Sequence, residues 1–176
     1  MPCRVSGCLG RRSEPVAAAP LSGGVFLGGV SVLVVDNCKA VRATITAMLE
    51  HFGAAVTAVG SADEALAVLV RERPDVLVSA LAMPDKGGYW LIGRVRALPP
   101  ERGGATPAAA LTGFTGAEHR ASILRAGFQY HVEKPVSLEK LGGIVALLAL
   151  KDPPLPRSSR DLLSAKPEMP GRTVGR

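Results

Sequence analysis

The feature that most constrains this chain is a change of hydrophobic period that repeats five times between residues 31 and 150. Short apolar runs rich in Val, Leu and Ala alternate with longer stretches in which apolar residues recur every three or four positions. A strand that is apolar along its whole length is covered on both faces. The pattern therefore predicts an α/β fold, with a parallel sheet that carries helices above and below it.

Ser31 to Asp36 reads as the first strand. A helix follows from about Lys39, with Val41, Ile45, Met48, Leu49 and Phe52 on one face and Gly53 placed to end it in the left-handed conformation. Ala54 to Ala58 is a second strand. Ser61, with Glu64 three residues on, forms a capping box for a helix through Leu66, Leu69 and Val70 that Pro74 closes. Asp75 to Ala80 reads as a central strand, and the loop Leu81 to Gly87 leads to a helix with Leu91, Ile92, Val95 and Leu98, ended by Pro99-Pro100. Ala108 to Thr112, small and apolar, suits a crowded central strand and precedes a shorter helix, Glu118 to Ala126, that stops at Gly127. Tyr130 to Glu133, then Lys134-Pro135 and a helix from Ser137 through Leu138, Leu141, Val145 and Leu148, complete the fifth unit.

Residues 1–29 mix Gly, Ala, Pro and Arg without period and read as a disordered leader or linker, while 151–176 form a basic, Pro-rich tail; one domain is expected at 30–150. The net charge of +6 raises the question of nucleic acid, but residues 31–150 carry twelve Lys/Arg against eleven acids, so the excess lies in the ends. Nucleic acid is therefore not the expected partner of the folded part, although an adaptor that binds an acidic partner or nucleic acid through its basic tails remains the alternative reading. Cys3, Cys8 and Cys38 have no zinc-binding spacing, and a reducing, cytoplasmic setting is expected. The uncharged stretch Pro15 to Val35 is interrupted by Pro20 and by glycines at 23, 24, 28 and 29, so no membrane span is expected. His51, His119 and His131 are scattered and no Ser/His/Asp or Cys/His set converges, which argues against an enzyme. The glycines of GGVFLGG precede the first strand instead of following it, which rejects a dinucleotide-binding turn.

In an open parallel sheet, chemistry sits outside the carboxyl ends of the strands. The residues there are Asp36-Asn37, Ala80, Thr112-Gly113 and Lys134-Pro135. The segments VLVVDN at 32–37, RPDVLVSALAMPDKGG at 73–88, ALTGF at 110–114 and AGFQYHVEKP at 126–135 stand in register over Val30 to Leu150. In that order and spacing they resemble the bacterial receiver domain of response regulators and hybrid histidine kinases. The resemblance implies a five-stranded (βα)5 flavodoxin-like fold, a role in two-component phosphorelay, and a histidine kinase or other signalling protein as partner, with homodimerisation open.

In that family two acidic residues after the first strand and a carboxylate ending the third hold magnesium. The third carboxylate takes the phosphoryl group, and a Thr/Ser and a Lys bind its oxygens. Asp36, Thr112 and Lys134 stand at matching positions, and His131 stands where the family often has a switching aromatic. The departures are Asn37 at the second acidic position and Ala80 at the phosphoacceptor position. An amide weakens a magnesium site and a methyl cannot accept a phosphoryl group, so the resemblance implies a pseudo-receiver with no expected metal, cofactor or catalytic residue. Residual acceptance at Ser79 or Asp85 is the remaining alternative. Strand alternation turns Ser79 to the other face, and Asp85 lies out along the loop. The leader also resembles the linker before the terminal receiver of hybrid kinases, which would make the chain a fragment of one.

Overall fold

The computed structural model describes residues 24–113 and 116–150. Five strands, β1 (Ser31–Val35), β2 (Ala55–Val59), β3 (Val76–Ala80), β4 (Ala108–Thr112) and β5 (Tyr130–Glu133), alternate with five helices, α1 (Lys39–His51), α2 (Ala62–Glu72), α3 (Gly88–Arg96), α4 (Ala117–Ala126) and α5 (Leu138–Ala149). All four pairings are parallel, as the apolar runs predict, and the order is β2-β1-β3-β4-β5, the flavodoxin-like sheet that the resemblance implies.

Strand alternation divides the core into two layers. Leu33, Val35, Leu77, Ala108 and Ala110 face α2, α3 and α4, where Leu69, Leu91, Ile92, Val95 and Ile123 meet them. Val32, Val34, Val76, Val78, Leu111 and Val132 face α1 and α5, against Ile45, Leu49, Leu141, Val145 and Leu148. The central strands β3 and β4 are buried along their whole length, as a strand covered on both sides must be.

β2 is displaced by one residue from expectation. The Ala54 N–H still donates to Leu49 O at 3.2 Å, so β2 starts at Ala55 instead of Ala54 and runs to Val59. The Ser61 hydroxyl accepts from the Glu64 N–H as a capping box requires, but the Glu64 carboxylate takes the N–H of Gly60, not that of Ser61. Gly53 ends α1 at φ +90°, as its position predicts.

Of the expected leader, only residues 24–29 lie among the described residues, and there the packed unit starts earlier than residue 30. Leu27 is 1% exposed, sits in the α1/α5 layer, and its N–H donates to Phe52 O at 2.7 Å. The remainder of the leader and the whole tail, with Cys3 and Cys8, lie outside the described residues. Among the described residues no helix is long and apolar enough to cross a membrane.

Candidate functional site

The carboxyl ends of β1, β3, β4 and β5 open onto one crevice, and Asp36 is its most heavily engaged side chain. The residue directly follows β1, is 1% exposed, and uses both carboxylate oxygens. Oδ1 accepts from the Cys38 N–H at 2.9 Å, a local turn that Asp readily makes, and Oδ2 accepts from Lys134 Nζ at 2.6 Å. Its backbone carbonyl takes a bond from Arg42 Nη1 at 2.5 Å, which fastens the loop to the first turns of α1. A buried carboxylate is tolerable only when paired and hydrogen-bonded, and Asp36 meets both conditions.

Lys134 reaches Asp36 from the far side of the sheet. β5 lies three strand spacings from β1, about 14 Å at the usual separation. The lysine side chain, 30% exposed, therefore bridges the crevice across the ends of β4 and β3. Ala80 closes β3 there. Val35 pairs with Ser79, so Asp36 and Ala80, each one residue further on, come abreast on the α1/α5 side. Ala80 is 2% exposed and presents a methyl group. The loop after it packs tightly on its backbone: a Cβ at Gly88 would lie 2.4 Å from Ala80 O, which is why glycine opens α3.

The other candidate residues disperse. Asn37 is exposed beside the engaged carboxylate. Ser79 is fully buried on the α2/α3/α4 side, and its hydroxyl donates to Ala80 O at 3.0 Å. Asp85 is exposed in the loop, with a left-handed φ of 62°. His131 lies inside β5, pairs in register with Ala110, and its Nε2 is 3.7 Å from Glu133 Oε1. Thr112, 3% exposed, alternates with Leu111 and so turns toward α4, where its Oγ1 lies 3.4 Å from Nε2 of His119.

His119 is the site residue that sequence reasoning passed over. It occupies the first turn of α4, half-buried between the exposed Glu118 and Arg120, and turns toward the end of β4. His51, by contrast, stacks edge-on against Phe52 with ring centroids 5.4 Å apart and serves the end of α1.

The donor set is sparse for a hard divalent cation. Such a cation calls for several oxygens, anionic ones above all. The crevice offers one carboxylate already held by an ammonium, one exposed amide and one methyl, and no group of three metal-ligating side chains occurs among the described residues.

Comparison with known proteins gives one consistent answer. Residues 32–146 match the response regulator receiver domain family. A 14.6 kDa protein from the sodA1 3′ region of Leptolyngbya boryana is 44% identical over 128 residues, which span 73% of this chain and 96% of that protein. The probable transcriptional regulatory protein TcrX of Mycobacterium tuberculosis is 32% identical over 112 residues, 64% of this chain but only 46% of TcrX. Among solved structures, the receiver domain of sensor histidine kinase PA1611 from Pseudomonas aeruginosa, with a magnesium ion coordinated in its active-site cleft, superimposes with a TM-score of 0.63. It is 28% identical, over 69% of this chain and 98% of that one.

Proposed function

Because the chain belongs to the response regulator receiver family, we propose that it is a receiver of two-component signalling that works without being phosphorylated, as a protein-contact module in a phosphorelay. The observation that carries this reading is the methyl group at the end of β3, with the Lys134–Asp36 pair drawn across the crevice at 2.6 Å. In the family a carboxylate at that strand end attacks phosphorus, and lysine then holds the phosphoryl oxygens. Ala80 has no nucleophile to offer, and Lys134 is already engaged by Asp36. Neither Ser79, buried on the opposite side of the sheet, nor Asp85, out on the loop, stands where an in-line attack would need it.

Magnesium does not suit this donor set. The PA1611 receiver coordinates magnesium in its cleft; here the Asn37 amide and the Ala80 methyl remove the anionic oxygens such an ion draws on. The Lys134 ammonium supplies the local countercharge instead, and the crevice rests with its charges satisfied. A receiver fixed in this way signals by whom it touches. The face built from α4, β5 and α5 is the contact surface, and a histidine kinase or another signalling protein is its partner; the site lies in the cytoplasm, where such relays operate.

The test is incubation of the full chain with a small phosphodonor and magnesium, read by intact mass. No gain of a phosphoryl group is expected. The paired substitution Asn37→Asp and Ala80→Asp, by restoring the carboxylates, should confer magnesium-dependent acceptance. A phosphoryl group on the unaltered chain would refute the proposal.

A further inference from the structure

Beside the crevice lies an apolar groove of about 290 Å³, between α1 and the loop that follows β5. Val41, Thr44 and Met48 form its α1 wall, Pro135 and Val136 stand opposite, and the side chain of Lys134 lines it too. The Thr44 hydroxyl donates to Ala40 O at 3.0 Å and the Lys134 ammonium to Asp36. Both polar side chains of the groove therefore have partners of their own, and what remains for an occupant is hydrocarbon. The chain enters the described fold at the other end of the same helix. Val25 packs on the α1/α5 layer, Leu27 is buried in it, and the Leu27 N–H donates to the carbonyl of Phe52, the residue that ends α1.

We propose that residues 18–21 of the chain's own leader, Ala-Ala-Pro-Leu, lie in this groove as a strap, with Leu21 seated between Thr44 and Met48. Helical rise sets Met48 and Thr44 about 6 and 12 Å from Phe52 along α1. Leu27 is bonded to Phe52, and six residues of extended chain span up to about 19 Å. Leu21 therefore reaches the stretch between the two side chains, with Gly23 and Gly24 to make the turn out of the fold. The composition fits as well. From Pro15 to Gly23 no residue is charged, and Ser22 carries the one polar side chain. Pro15 and Pro20 favour the extended form and bring no backbone N–H to a hydrocarbon surface. The tether decides between this segment and a free peptide of similar composition, because a short flexible link gives an effective concentration in the millimolar range.

With Leu21 in place the groove is closed to other chains, and the alanines before it run towards the hydrocarbon stem of Lys134. The strap thus packs one side of the lysine that pairs with Asp36. Anything that takes hold of the leader uncovers the α1 side of the molecule, and no phosphoryl group is needed for the change. This device lies apart from the α4, β5 and α5 face proposed above and does not depend on it.

Thiol pairing in the full chain, in a background with Cys3, Cys8 and Cys38 changed to serine, tests the proposal. Equilibration with glutathione and its disulfide measures the effective concentration of each cysteine pair. Glu50 is exposed like Thr44, stands about a third of a turn round α1 from it, and is nearer to Phe52, so an unbound leader would meet position 50 at least as often. The pair Leu21→Cys with Thr44→Cys should nevertheless exceed Leu21→Cys with Glu50→Cys by about tenfold or more. Separately, Leu21→Asp should move the methyl resonance of Met48, identified through Met48→Leu, and should leave the urea midpoint almost unchanged. Equal effective concentrations for the two pairs overturn the proposal, as does a Met48 resonance that Leu21→Asp leaves in place. Disulfides that form between chains instead of within one mean that a second copy fills the groove, and they overturn it too.

Discussion

Replacing Lys134 with methionine removes the charge opposite Asp36 while keeping most of the hydrocarbon stem. Asp36 is 1% exposed and its Oδ2 loses its 2.6 Å partner, leaving the Cys38 N–H on Oδ1 as its remaining side-chain bond. Deleting one member of a fully buried ion pair costs about 3–5 kcal/mol, because the abandoned charge stays desolvated. Lys134 is 30% exposed, so water can reach part of the gap, and the expected cost falls to about 2 kcal/mol. For a domain of this size that corresponds to a melting temperature lower by roughly 5–10 °C. Urea unfolding of Lys134→Met, of Asp36→Asn and of the double variant measures it, with an unchanged m-value as the sign that only stability has moved. The double variant should be no less stable than Lys134→Met alone, which gives a coupling energy of about 1–2 kcal/mol. A single-variant cost below about 0.5 kcal/mol with no coupling is what an exposed surface pair would give, and it would refute the description of Asp36 as a dry carboxylate that depends on this lysine.

Three further outcomes are expected. Leu27→Ala should cost about 2–4 kcal/mol in the same unfolding assay, because Leu27 is a core residue despite lying outside every regular element. Arg96→Lys should cost about 2–4 kcal/mol: the guanidinium, its pKa lowered by burial, donates to the carbonyls of Gly104, Thr106 and Gly127, and one ammonium cannot span all three. The Glu72 carboxyl is held below its usual pKa by hydrogen bonds first from Arg71 and then from Thr57. Its contribution is therefore present above the ordinary carboxylate range and is lost as pH falls through the folded-state value, so melting curves of wild type and Glu72→Gln should converge in acid.

The strand-helix alternation was legible because each apolar run answers to its own period, and β4 and β5 lie where their residues predict. Leu27 was not legible, since the three apolar residues Val25, Phe26 and Leu27 between paired glycines are too few to set a period, and its burial arises from packing against distant α1 and α5. At the crevice, the sequence order identifies which side chains stand at strand ends but not how far each reaches. Lys134 reaches Asp36 across the ends of two intervening strands, a span that the order of residues in the chain does not encode. His119 was hidden for a similar reason: its approach to Thr112 depends on how α4 leaves the sheet, which helical periodicity alone does not encode.

The sheet ends on one side in β2, a five-residue strand, AVTAV, with neither a charge nor a proline. An edge of that kind offers its free backbone groups to any passing strand, and proteins commonly defend such edges with lysine or proline. Only Thr57, bonded to Glu72, is tied back to α2 by its side chain. Under partial unfolding this margin is therefore where intermolecular strand addition should begin, and a lysine at exposed position 58 would suppress aggregation without disturbing the crevice.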